Sequence, residues 1–167
     1  MVLRVVLAGG GTAGHVNPLL ATADVLEGRG HKIEVLGTKE GLESTLVPAA
    51  GLKLHTLPKV PIPRRPSKDL LTVPARLKSA TKIAEEVLGG ADVLVGFGGY
   101  VSAPAYIAAS RLGVPFVVQE QNVRPGWANR LGARSAKSVS LTFPQTRLAA
   151  RHGRTVFTGL PLRRSIV

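Results

Sequence analysis

The chain has 167 residues, 44% of them hydrophobic, with 22 Lys and Arg against 10 Asp and Glu for a net charge of +12, and it has no cysteine. That length is about one domain with a real core, and the hydrophobic fraction excludes intrinsic disorder. The missing cysteines exclude disulfides and thiolate metal sites, and His15, His31, His55 and His152 lack metal-ligand spacing, so no bound metal or other cofactor is expected.

Residues 2–7 are a short apolar run that reads as a buried parallel strand. The stretch Ala8-Gly9-Gly10-Gly11-Thr12-Ala13-Gly14-His15 follows, and then apolar residues at 16, 19, 20, 23 and 26 recur at helical spacing. Strand, glycine turn and helix make a phosphate-cradle layout, because glycine admits an anion close to the backbone and helix-start N–H groups carry partial positive charge. Gly9, Gly11 and Gly14 also satisfy G-x-G-x-x-G; a tight turn without a ligand is the bland alternative. After the stop at Gly28-Arg29-Gly30, residues 32–37 predict a second strand. Thr38 is a candidate cap for a helix to about residue 50, and 53–57 predict a third strand. A proline-rich basic loop covers 58–67. A helix then ends near Leu88, with Pro74 acceptable only in its first turn.

Residues 92–97 predict the fourth strand, and Gly98-Gly99-Tyr100-Val101-Ser102-Ala103-Pro104 opens a helix to Leu112. The fifth strand, 115–118, leads into a polar turn, Gln119-Glu120-Gln121-Asn122, and a short helix over 127–133. Two more short strands, 137–142 and 155–158, flank an expected small helix over 144–151. Alternating strands and helices with right-handed crossovers give an α/β fold, a Rossmann-like doubly wound parallel sheet. Ligands bind beyond the carboxyl ends of such strands, where the turns after strands one, four and five should converge.

The charge is uneven: residues 53–82 hold eight Lys or Arg and one acid, Asp69, and after Asp92 the only acid is Glu120. Nucleic acid, an anionic membrane surface or a phosphorylated substrate each fit that balance. No reader module or stacking surface supports nucleic acid. No apolar run reaches the roughly 18 residues of a spanning helix. Dinucleotide binding is disfavoured, because strand two ends in Gly37-Thr38-Lys39 rather than an acid, and no Walker lysine follows the glycines.

Gly10-Gly11-Thr12-Ala13-Gly14-His15, then Gly98-Gly99-Tyr100-Val101-Ser102 with Pro104, then Glu120-Gln121-Asn122, then Gly159 with Pro161-Leu162-Arg163 resemble, in order and spacing, the N-terminal half of the MurG family. Those enzymes transfer N-acetylglucosamine from UDP to undecaprenyl-diphospho-muramoyl-pentapeptide in peptidoglycan synthesis. Ala13 stands where the family more often has glycine, and Leu160 where asparagine is usual. The resemblance implies the first of two Rossmann-like domains in the glycosyltransferase B arrangement, with residues 1–160 as the acceptor-binding domain and 161–167 beginning a linker to a donor domain beyond this chain. It implies that Thr12, Ala13, Gly14, Asn122 and Arg163 reach the UDP-sugar donor. It also implies that Gly10, Gly11, Gly98, Gly99, Tyr100 and Ser102 form the cradle for the diphosphate of the lipid-linked acceptor. It implies peripheral work at the cytoplasmic face of the bacterial plasma membrane, with this half inactive alone. Rival readings are a transferase for another lipid acceptor and a non-catalytic membrane-recruiting subunit of a two-chain transferase.

His15, at a helix mouth and able to titrate near neutrality, is the candidate base; the alternative is a histidine that only bonds backbone. Tyr100 either contacts substrate or packs. Glu120 has three open roles: orienting His15, binding a sugar hydroxyl with Gln121 beside it, or pairing with an arginine. Trp127 and Asn129 read as helix packing and surface. Arg64, Arg65 and Lys68, with Leu70 and Leu71, are the expected docking residues for anionic membrane, charge and shallow insertion being what docking needs.

Overall fold

The computed structural model of the chain describes residues 1–60 and 71–163. In order they form β1 (Arg4–Ala8), α1 (Ala13–Gly28), β2 (Lys32–Gly37), α2 (Glu43–Ala49), β3 (Lys53–Thr56), α3 (Val73–Leu88), β4 (Val93–Gly96), α4 (Ser102–Leu112), β5 (Phe116–Glu120), α5 (Trp127–Gly132), β6 (Ser138–Leu141) and β7 (Arg154–Phe157). The sheet runs β3-β2-β1-β4-β5-β6-β7, and every pairing is parallel. Strand order therefore reverses between β1 and β4, and a crevice opens there beyond the carboxyl ends.

Alternation along β1 builds both layers. Val5 and Leu7 pack with Val16, Leu19, Leu20 and Ala23 of α1 and Val47 of α2. Val6 and Ala8 face the other way, into Ala80, Ala84 and Val87 of α3 and Ala105, Ala108 and Ala109 of α4. Each fully buried Val or Leu contributes about 1.5–3 kcal/mol. The central strands consequently read as unbroken apolar runs. The small alanines of α3 and α4 let those helices sit close together over the sheet.

Glu34, mid-strand in β2, has a local explanation. Arg4 Nε donates to its Oε1 at 2.8 Å, and His55 Nε2 and Lys53 Nζ approach its Oε2. Burial alone would raise its carboxyl; the bonds from Arg4 and His55 outweigh it and pull the pKa down to about 2. This acid is spent on holding β1, β2 and β3 together.

Three sequence expectations need correction. No helix forms over 144–151: Ala150 N–H donates to Thr155 Oγ1 and Arg151 N–H to Ala133 O, so the backbone bonds outward to its surroundings. Thr38 does not cap a helix, and α2 starts at Glu43 because Thr38 is drawn instead into a bond with the Glu43 carboxylate. β5 continues through Glu120, so half of the expected polar turn is strand. Pro74 lies in the first turn of α3, as its missing N–H requires.

Candidate active-site cleft

Two glycine turns meet back to back at the switch point. Gly98 and Gly99, between β4 and α4, have φ of +92° and +81°, and a Cβ on Gly99 would lie 2.5 Å from the Gly10 carbonyl oxygen. A Cβ on Gly98 would meet His15 Nε2 at 3.1 Å and Asn129 Nδ2 at 3.4 Å. Only glycine fits both positions. Ser102 fixes the second turn from beneath. Its buried hydroxyl accepts the Gly98 N–H at 2.9 Å and lies 2.8 Å from Gly98 O and 3.0 Å from Ala8 O, so it is engaged inside the protein.

Glu43 fixes the first turn, and no sequence motif pointed to it. Its fully buried carboxylate accepts the Gly11 N–H at 2.8 Å, the Thr38 N–H at 2.9 Å and the Thr38 hydroxyl at 2.7 Å. Burial pushes the carboxyl up, but those bonds prevail and hold its pKa below the usual range, so it is ionised at neutral pH. Gly10, Gly37 and Gly41 crowd it, each leaving no room for a Cβ beside the glutamate.

His15, in the first turn of α1, places Nδ1 3.1 Å from the Gly10 carbonyl and 3.0 Å from Thr12 Oγ1. A carbonyl only accepts, so the neutral ring carries its proton on Nδ1 and leaves the Nε2 lone pair beside the Gly98 turn. Burial lowers its pKa below 6.5, opposed by the Gly10 bond and the charges of Glu120 and Glu43. A half-buried neutral imidazole with a free lone pair is a competent proton acceptor.

Glu120, at the end of β5, is 1% exposed. Oε1 accepts the Asn122 N–H and side-chain amide; Oε2 accepts the Gly126 N–H and Asn129 Nδ2, all at 2.9–3.0 Å. The arginine pairing expected as one option is therefore absent among the described residues: four uncharged donors hold this carboxylate and staple the β5–α5 loop. Asn129 corrects a second expectation. It is buried rather than a surface residue, donating also to Gln119 O and accepting from Tyr106 Oη at 2.9 Å. Burial raises the Tyr106 hydroxyl far above its ordinary pKa, so it remains a donor.

The three turns enclose one cavity of about 600 Å³, lined by the glycine turns with Thr12, His15 and Tyr100, by Thr38, Glu40, Gly41 and Lys59 on one side, and by Glu120, Asn122 and Trp127 to Asn129 on the other. Gly10, Gly11, Thr12, His15, Gly98, Gly99, Tyr100, Glu120 and Asn122 are thus brought together. Ala13 and Gly14 are the exposed turn of α1 beside the cavity. Gln121 is buried and donates to Gln119 rather than lining the cavity. Arg163 lies elsewhere, against a smaller hollow with Asp24 and Glu27 of α1. Arg64, Arg65, Lys68 and Leu70 fall outside the described residues; Leu71 is 83% exposed.

Residues 5–141 match the glycosyltransferase family 28 N-terminal domain. The chain belongs to that family. It is 56% identical to the UDP-N-acetylglucosamine--N-acetylmuramyl-(pentapeptide) pyrophosphoryl-undecaprenol N-acetylglucosamine transferase of Clavibacter sepedonicus, over 96% of this chain and 44% of that protein. It is 49% identical to the protein of the same name from Streptomyces avermitilis, over 98% of this chain and 45% of that one. A crystal structure of Acinetobacter baumannii MurG superposes with a TM-score of 0.78 at 31% identity, covering 95% of this chain and 46% of its own. The chain spans less than half the length of these relatives, and what it resembles is their N-terminal half.

Proposed function

We propose that this domain is the acceptor-binding half of an inverting transferase that moves N-acetylglucosamine from UDP-N-acetylglucosamine to the 4-hydroxyl of undecaprenyl-diphospho-muramoyl-pentapeptide, the rest of the enzyme supplying the opposite wall of the cleft. The observation that carries the reading is the Nε2 lone pair of His15, set between two glycine turns in a cavity at the sheet's switch point. In the reaction the 4-hydroxyl oxygen forms a bond to the anomeric carbon, the bond from that carbon to UDP breaks, and the proton passes to His15 Nε2. The acceptor diphosphate lies against Gly10, Gly11, Gly98 and Gly99 with Tyr100 beside it, while Ser102 acts only by shaping the turn. The donor is reached by Thr12, Ala13, Gly14 and Asn122; Arg163 is left out because it lines a different hollow. No metal takes part in this reading. The domain works peripherally at the cytoplasmic face of the membrane, docked through the basic segment that holds Arg64, Arg65, Lys68, Leu70 and Leu71.

The test uses the full-length polypeptide that carries this domain. His15→Ala should lower kcat/KM about 100- to 10,000-fold, as loss of a positioned base does, with little change in the thermal midpoint. Since burial lowers the His15 pKa, the wild-type rate should fall only as pH drops below 6.5, where the ring takes up its proton. An unchanged rate in the variant refutes the base; a wild-type enzyme that transfers nothing to this acceptor refutes the whole assignment.

A further inference from the structure

The glycine cradle is poorer in free donors than its sequence suggests. The Gly11 N–H is committed to Glu43 and the Gly98 N–H to Ser102. The surroundings are also anionic: Glu40 and Glu120 line the cavity and Glu43 lies directly beneath the first turn. A diphosphate entering such a cleft meets carboxylates on several sides and needs a counter-charge. Among the described lining residues one Lys or Arg is present, Lys59.

Lys59 is held where a counter-charge is useful. Its segment is pinned on either side by Leu57, 3% exposed, and Val60, 1% exposed, and the Leu57 N–H donates to Gly37 O at 2.8 Å. The Lys59 ammonium lies 5.8 Å from the centroid of the Tyr100 ring, within the range of a cation–π contact. It makes no ion pair with any described carboxylate, Glu40 included. A cation aimed over a cavity by an aromatic ring, and not neutralised by any described carboxylate, is available to a ligand.

We propose that Lys59, aligned by the Tyr100 ring, binds the diphosphate of the acceptor and sets the cleft's affinity for it; this rests on the acceptor reading above. The diphosphate passes through the transfer chemically unchanged. A contact to it stabilises substrate, transition state and product alike, so it governs KM and not kcat.

The experiment measures steady-state kinetics of the full-length enzyme, varying acceptor and donor separately, for wild type, Lys59→Ala, Lys59→Arg and Lys59→Glu. Inorganic pyrophosphate serves as a competitor against the acceptor. Lys59→Ala should raise the acceptor KM about 10- to 100-fold, the range of a lost bond to a charged group, with kcat and donor KM within about twofold. The pyrophosphate inhibition constant should rise in parallel, Lys59→Arg should restore most of the affinity, and Lys59→Glu should lose more than Lys59→Ala. Because Lys59 is exposed, thermal midpoints should not move. An unchanged acceptor KM overturns the proposal, as does a loss confined to kcat or donor KM. A raised acceptor KM with an unchanged pyrophosphate constant overturns the diphosphate assignment in favour of another anionic part of the acceptor. A wild-type enzyme inactive on this acceptor instead fails the functional reading on which the proposal stands.

Discussion

Replacing Glu43 by glutamine keeps the side-chain shape and reverses one end of its hydrogen bonding. All three partners of Glu43 are donors: Gly11 N–H, Thr38 N–H and Thr38 Oγ–H. A glutamine amide presents one acceptor oxygen and one NH₂, so in either orientation at least one buried N–H faces another donor. The lost bond to a charged acceptor is worth about 1.5–3 kcal/mol, and the stranded donor costs about 1–3 kcal/mol more. The expected total of roughly 3–5 kcal/mol is a large part of a typical domain stability of about 5–15 kcal/mol. In urea unfolding of this chain, a slope of about 2 kcal/mol/M converts that loss into a midpoint lower by about 1.5–2.5 M. The effect should depend on pH in one direction. The folded Glu43 pKa is below its unfolded value, so the carboxylate's contribution is complete above the unfolded pKa and is lost as pH falls through the folded one. Wild type and Glu43→Gln should therefore differ most near neutrality and converge in acid. A midpoint shift below about 0.3 M at pH 7, or a difference that grows in acid, would show that the glycine turn does not depend on this carboxylate.

Two further outcomes are expected. Gly99→Ala must place a Cβ 2.5 Å from the Gly10 carbonyl at φ +81°, whereas Gly11→Ala at φ +88° meets nothing within 4 Å. The first should cost about 3 kcal/mol or more and the second only the backbone strain of about 1 kcal/mol; equal thermal midpoints would contradict the back-to-back packing. In vesicle co-sedimentation, changing Arg64, Arg65 and Lys68 together to Glu should abolish salt-sensitive binding to anionic lipid, each basic residue contributing roughly 1 kcal/mol; retained binding moves the docking surface elsewhere.

The sheet was legible because each central strand is buried on both faces and has a glycine near at least one end (Gly9, Gly30, Gly98, Gly113), which leaves a short apolar run with a clear end. The convergence of three turns followed from strand alternation alone. Glu43 was not legible, since it sits in the first turn of a short helix like any surface acid and its partner Gly11 is 32 residues away. Asn129 hid in the same way, its burial arising from Glu120 and Tyr106, which come from two other elements. The helix expected over 144–151 failed because local pattern cannot reveal that backbone donors there find partners at Ala133 and Thr155. His15 was visible from its place after the glycines; its tautomer needed the Gly10 carbonyl.

The charge distribution now has a different meaning from the one composition suggested. A net charge of +12 invites the picture of a basic cleft, yet the described walls carry Glu40, Glu120 and Lys59. Basic residues such as Arg76, Lys78 and Lys82 are exposed on α3, where a long-range field can draw the domain to an anionic surface without entering the cleft. In the proposed reaction such sparing use of charge inside is an advantage. The elongated product keeps the same diphosphate as the substrate, so every additional cation on it would tighten both equally and slow product release without lowering the barrier. In that reading, one lysine at the mouth and a neutral imidazole between the turns suffice to orient the acceptor while still letting the product go.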